Sequence, residues 1–176
     1  YDDAVEELLC WGWVDSTSGK LDDDRSLLWI SPRRRGSGWS ATNKARIAQL
    51  EASGRMQPAG RELVDAAQTR GDWSKLDASE RGEVPDDLLA ALATLPEANA
   101  HFAAFPPGVK KALTQWIDSA KRASTRAGRV LEVVALAAND VRANQWPRTL
   151  PTEAQLERAR DALLDAGIDP NGANAT

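Results

Sequence analysis

Apolar residues along this chain fall at helical spacing almost throughout, and at alternating spacing in one short stretch. Residues 2–11 set Val5, Leu8 and Leu9 on one side. Their acids, Asp2, Asp3, Glu6 and Glu7, suit the positive end of a helix dipole. Gly12 is placed to end that helix, because glycine takes positive φ without steric cost. Trp13 and Val14 continue as extended chain, and residues 16–20 have turn composition. Residues 25–31 predict a strand with Leu27 and Trp29 on one face and Leu28 and Ile30 on the other. Apolar side chains on both faces are the pattern of a strand covered on both sides. A two-stranded hairpin is marginal alone, so further strands upstream of Tyr1 are expected.

Helices dominate the remainder. Ser40 offers an N-cap for a helix over 41–53, and Pro58 suits the first turn of another over 58–70, ended by Gly71. Residues 74–84 read as a polar loop after Trp73, which is expected to anchor that connection. Pro85 opens a helix with the stripe Leu88, Leu89, Leu92 and Leu95, and Pro96 begins one that runs through Phe102 and Phe105. Over 109–121, Val109, Ala112, Leu113, Trp116, Ile117 and Ala120 form the cleanest helical stripe, which places Trp116 in the core. A helix over 125–142 and a shorter one to Ala166, begun by a Thr152/Gln155 capping box, complete the set. Residues 169–176 have the composition of a disordered tail. The fold class is therefore α+β and mainly helical, a small N-terminal β element followed by about six helices. Residues 1–146 are expected as one domain, and 147–176 as a linker, a short helix and the tail.

Composition narrows the chemistry. The 176 residues suit one domain of ordinary size. No stretch of about 18 apolar residues is present, so no membrane span is expected, and no charged-then-apolar leader is visible. A single cysteine, Cys10, excludes an internal disulfide and a multi-cysteine zinc site, and a single histidine, His101, excludes a two-histidine metal motif. No cofactor or metal is expected, and disulfide-free usage is compatible with a cytoplasmic location. The net charge of −4 conceals alternating blocks. Residues 1–30 carry −6, 31–61 carry +6, 62–100 carry −6 and 101–130 carry +5. Such blocks either neutralise one another within the fold or gather into a basic patch on an acidic protein.

Two basic segments are the candidate sites. Arg33, Arg34 and Arg35 follow the strand and lie between Trp29 and Trp39, with Trp11 and Trp13 upstream. The planar guanidinium suits carboxylate or phosphate, and tryptophan faces can stack on rings. The competing reading balances these arginines against Asp22, Asp23 and Asp24. Asp15 and Asn43 are polar candidates for a Trp-lined pocket, with turn-capping as the alternative role for each. The second segment holds Lys121, Arg122, Arg126 and Arg129. If a helix starts near Ser124, Arg126 and Arg129 oppose its dipole. Either an acid from the 62–100 block or an anionic ligand would then compensate them. No phosphate-binding glycine loop, nucleophile elbow or HExxH motif is present.

Several motifs occur together. They are Cys10-Trp11-Gly12-Trp13-Val14-Asp15, Pro32-Arg33-Arg34, Trp39-Ser40 with Asn43, and Gly54-Arg55-Met56 with Pro58 and Gly60. Val84-Pro85-Asp86-Asp87-Leu88 follows, then Trp116-Ile117 with Ala120-Lys121-Arg122 and Thr125-Arg126. In this order, from about Tyr1 to Val141, they resemble the YdeI/OmpD-associated, or bacteriocin-protection, family. The resemblance implies a bacterial protein connected with antimicrobial-peptide or bacteriocin tolerance and stress. It also implies a porin association for some members, a periplasmic location, and roughly fifty further residues before Tyr1. It carries no catalytic residues. Ser124 departs from it, standing where the family tends to place Glu.

Three functions follow as expectations. The first is a non-enzymatic binding or stress-protection protein that recognises a protein or anionic ligand through a Trp/Arg surface. The second is a nucleic-acid-binding module using both basic segments, which an acidic pI of about 5.1 disfavours. The third is a small-molecule enzyme with a Trp-lined pocket that contains Asp15 and an arginine.

Overall fold

The computed structural model describes residues 1–172 of the chain. Its elements run α1 (Asp2–Cys10), β1 (Trp13–Lys20), β2 (Ser26–Pro32), α2 (Ala41–Ala52), α3 (Pro58–Arg70), α4 (Asp77–Glu80), α5 (Asp86–Ala93), α6 (Pro96–Ala104), α7 (Pro107–Asp118), α8 (Ala123–Ala137) and α9 (Glu153–Asp165). The protein is thus mainly helical α+β, with one antiparallel two-stranded sheet near its N-terminus. Chain contacts divide it into two compact units, Tyr1–Glu80 and Arg81–Thr176.

In the first unit, Val5, Leu9 and Cys10 of α1 pack with Trp39, Ile47, Leu50, Val64 and Ala67. Two sequence motifs meet here for a steric reason. A β-carbon added at Gly60 would lie 2.2 Å from the Cys10 carbonyl oxygen, and one at Gly12 would lie 2.3 Å from Leu63 Cδ1. Glycine on each side lets the α1–β1 junction cross the start of α3 at backbone distance, and Gln57 N–H donates to the Cys10 carbonyl at 3.2 Å. Gly12 has φ +76°, so it also makes the turn that ends α1. Ser40 caps α2 by accepting from Asn43 N–H, as its residue type predicts.

The hairpin departs from expectation. β1 and β2 pair from Trp13↔Pro32 to Lys20↔Ser26, with an irregularity between Asp15 and Ser18. β2 is exposed along nearly its whole length, where alternating apolar residues predict cover on both faces. Leu27, Trp29 and Ile30 are 44%, 65% and 51% exposed. Nothing among the described residues supplies the second layer that their composition asks for.

The second unit has the larger core. Leu88, Leu92, Ala98, Phe102, Leu113, Ile117 and Val134 join residues of α8 and α9, including Ala159 and Leu163. The stripe on α7 is rotated from the one expected. Leu113, Thr114 and Ile117 are buried, Ala112 is exposed, and Trp116 is only partly buried. Trp116 sits at the core's rim, where the Arg129 and Arg148 guanidiniums lie 5.0 and 5.7 Å from its ring centroid. α9 begins with the anticipated Thr152/Gln155 capping box. Of the expected disordered tail, residues 169–172 are ordered, with Pro170 buried and Gly172 close to Ala123 and Ala127. Residues 173–176 lie outside the described part. The polar stretch 74–84 holds the one-turn helix α4, which its composition does not announce.

Candidate functional site

The Trp/Arg region divides into a stack and a groove. In the stack, the Arg33 guanidinium lies 3.6 Å from the centroid of the Trp39 ring, and Trp39 packs on Trp73 with centroids 5.1 Å apart. The Lys44 ammonium sits 5.4 Å from the Trp73 ring and pairs with Asp77. Arg33 donates from Nη2 to the Gly38 carbonyl, while its Nε is buried without a hydrogen-bond partner. Burial lowers the Arg33 pKa from the ordinary arginine value. Even so, a guanidinium stays charged near neutrality. Trp39 is therefore a core residue beneath an arginine lid rather than an exposed stacking platform. Arg34 and Arg35, next in sequence, are exposed and form no ion pair among the described residues.

The Asp22–Asp24 turn does not neutralise that loop. Asp22 pairs with Arg25 and Asp23 with Lys20, at the closed end of the hairpin. The arginines leave its open end. Antiparallel geometry separates them by the full strand length, a consequence that proximity in sequence hides. Arg25 holds the Asp22 carboxyl below the usual carboxylate range.

The groove is formed by Ala4, Glu7, Leu8 and Trp11 at the end of the hairpin where Trp13, Leu28 and Ile30 project. Its volume is about 410 Å³ and its lining is predominantly apolar. Positions 4, 8 and 11 recur at helical spacing on a face of α1 next to that of Val5 and Leu9. Leu8 is half-buried and Ala4 and Trp11 are exposed, so the apolar stripe of α1 runs on past the core. Trp11 Nε1 donates to Glu7 at 2.8 Å and fixes one wall. Trp13 is the cross-strand partner of Pro32, so the arginine loop departs beside the groove.

Asp15 and Asn43 take local roles. Asp15 accepts from the Tyr1 hydroxyl, and this bond raises the Tyr1 pKa. Neither Asp15 nor an arginine lines the groove. Asn43 sits in the first turn of α2, where its Oδ1 accepts from Arg46 at 3.3 Å.

The second basic segment lies in the other unit. α8 starts at Ala123 with Arg122 in the cap position, so Arg126 falls in its first turns. The opposed dipole is compensated by acids. Arg126 Nε donates to Asp87 at 2.6 Å and Nη1 donates to Asp118 at 2.8 Å. The Asp87 bond is the main reason that the Arg126 pKa rises. Arg129 donates to the Trp116 carbonyl and to Ser119 Oγ. Lys121 and Arg122 are exposed. Beside the Asp87–Arg126 pair is a cavity of about 260 Å³, lined by α8, Leu163 and the chain around Pro170. Sequence reading misses it, because its wall is the segment that composition marks as disordered.

Comparison with known families separates the two ends of the chain. Residues 1–63 match a model described as a domain of unknown function (DUF8412). The motifs from Cys10 to Gly60 fall inside that stretch. No curated protein and no solved structure matches the chain. The motifs Val84–Leu88 and Trp116–Arg126 contribute both members of the Asp87–Arg126 pair, and over residues 82–140 the chain matches the family described as bacteriocin-protection, YdeI or OmpD-associated.

Proposed function

We propose that this chain is a binding protein of the bacteriocin-protection type, with its recognition surface at the open end of the hairpin. The groove of Trp11, Trp13, Leu28 and Ile30 takes apolar side chains, and Arg34 and Arg35 beside it take carboxylates. The carrying observation is that Arg34 and Arg35 form no ion pair among the described residues, on a loop anchored by the Arg33–Trp39–Trp73 stack. A preorganised cationic fork beside an apolar wall favours an acidic segment carrying aliphatic residues. The second basic segment does not join this reading. Arg126 and Arg129 are already held by Asp87, Asp118 and the Trp116 carbonyl, which also weakens the case for a two-segment nucleic-acid module.

The test is tryptophan emission during titration with a short peptide of alternating leucine and aspartate, with an oligonucleotide in parallel. A saturable shift with the peptide is expected. Trp13→Ala should diminish it, and so should the double reversal Arg34→Glu, Arg35→Glu. Arg33 is left intact, because its removal would uncover Trp39. Peptide binding unchanged by the reversal overturns the proposal. A quench by the oligonucleotide that collapses with salt favours nucleic acid instead.

A further inference from the structure

We propose that β2 pairs through its free edge with β2 of a second copy, antiparallel about a two-fold axis, making a four-stranded sheet across a homodimer. The inference rests on reading Arg34 and Arg35 as a recognition element, and it identifies what meets them: the acidic hairpin turn of the other copy.

Three observations converge on this edge. First, it is open. β1 is the neighbour of β2 in the sheet, while α1 packs along β1. Exposed edges are normally guarded by charge or proline. The strand Ser26–Pro32 reads SLLWISP and carries no charged residue, with its proline at the very end. β1, by contrast, carries Asp15 and Lys20. Second, the strand's apolar side chains remain in solvent, Trp29 most of all.

Third, backbone direction and charge select the same register. Arg33 N–H donates to Gly12 and the Arg25 carbonyl accepts from Leu21, so odd-numbered residues of β2 face β1. The one extra residue between Asp15 and Ser18 belongs to β1, so alternation along β2 is unbroken. Leu28 and Ile30 therefore point their N–H and carbonyl groups outward. A two-fold axis at Trp29 sets Leu28 of each copy against Ile30 of the other in a hydrogen-bonded pair. The two Trp29 side chains then face one another across a non-hydrogen-bonded position, where side chains approach most closely.

The same register sets Ser26 against Pro32, which has no N–H and so ends the ladder. Beyond it, the acidic turn of each copy, which carries Asp24, comes up to the arginine loop of the other, which carries Arg34. Among the described residues Asp24 has no ion-pair partner, and neither does Arg34. The contact is isologous, so every pair off the axis occurs twice and the assembly closes.

Sedimentation equilibrium of the 176-residue chain across micromolar concentrations, at low and high salt, tests the proposal. The expected mass at the upper end is twice 19.1 kDa, with association weaker at high salt. Leu28→Pro removes an outward N–H without touching the β1 ladder and should weaken association roughly tenfold or more. Arg34→Asp and Asp24→Arg should each weaken it, and the two together should restore it. That rescue keeps the test decisive if Leu28→Pro fails to fold. A monomer at every concentration overturns the proposal, as does a dimer indifferent to Leu28→Pro and to the charge swap. A monomer that still binds the leucine–aspartate peptide through Arg34 and Arg35 sinks the dimer and leaves the recognition surface standing. A dimer that passes both variant tests but ignores the peptide does the reverse.

Discussion

In the second unit, Leu88, Leu92, Leu113 and Ile117 lie wholly inside a core shared by α5 to α9. In the first unit, Leu27, Trp29 and Ile30 stand in solvent while a tryptophan, Trp39, fills the core. The arginines follow the same division. Arg126 is satisfied by two carboxylates, whereas Arg33 lies on an indole ring with a single carbonyl. The second unit uses its helical stripes and Arg126 in its own packing, although Leu89, Trp146, Leu150 and Leu164 stay exposed on it. The first unit leaves exposed a charge-free strand, an apolar groove and two arginines that form no ion pair among the described residues, which is surface to spend on recognition.

Substitution can break or sharpen this contrast. The largest effects belong to the two cores. Trp39→Ala should cost about 3–5 kcal/mol and Leu113→Ala about 2–5 kcal/mol, by urea denaturation, because each leaves a cavity. If the two units unfold independently, Trp39→Ala will shift one transition and Leu113→Ala the other. A single shared transition would show that the units are coupled. Next comes Arg126→Ala, which leaves Asp87 and Asp118 without their cation. Both carboxylates are well exposed, so solvent screening limits the loss to about 1 kcal/mol. Raising the salt concentration should shrink it further. Smallest is Trp29→Ala, which should change the stability of the isolated chain by no more than about 0.5 kcal/mol, because the side chain buries little. A loss as large as a core substitution would mean that the strand is already covered in solution.

Much of the helical plan is legible in the sequence because its signals are local. Pro58 and Pro96 occupy first turns, Ser40 and Thr152 accept from backbone N–H groups three residues on, and Gly71 closes α3 in the left-handed region. The dilemma at Arg126 was also legible: helix direction required a compensating negative charge, although not which one. Asp87 lies 39 residues away in sequence, so only folding could choose it over a ligand.

The sequence by itself determined the longer helices, several of their caps and the strand at 25–31, since propensity, capping and periodicity act over a few residues. It missed α4, and it read as turn the residues 16–20 that continue β1. Tertiary structure decided where the tryptophans went. Trp39 became core because Arg33 and Trp73 close over it, Trp116 moved to a rim between two arginines, and Trp29 was left outside. It also separated the Asp22–Asp24 turn from the arginine loop, because a hairpin carries its ends a strand's length apart. Long-range contacts settle such questions. Local pattern states how apolar a residue is, and the partner that covers it comes from elsewhere in the chain or from another molecule.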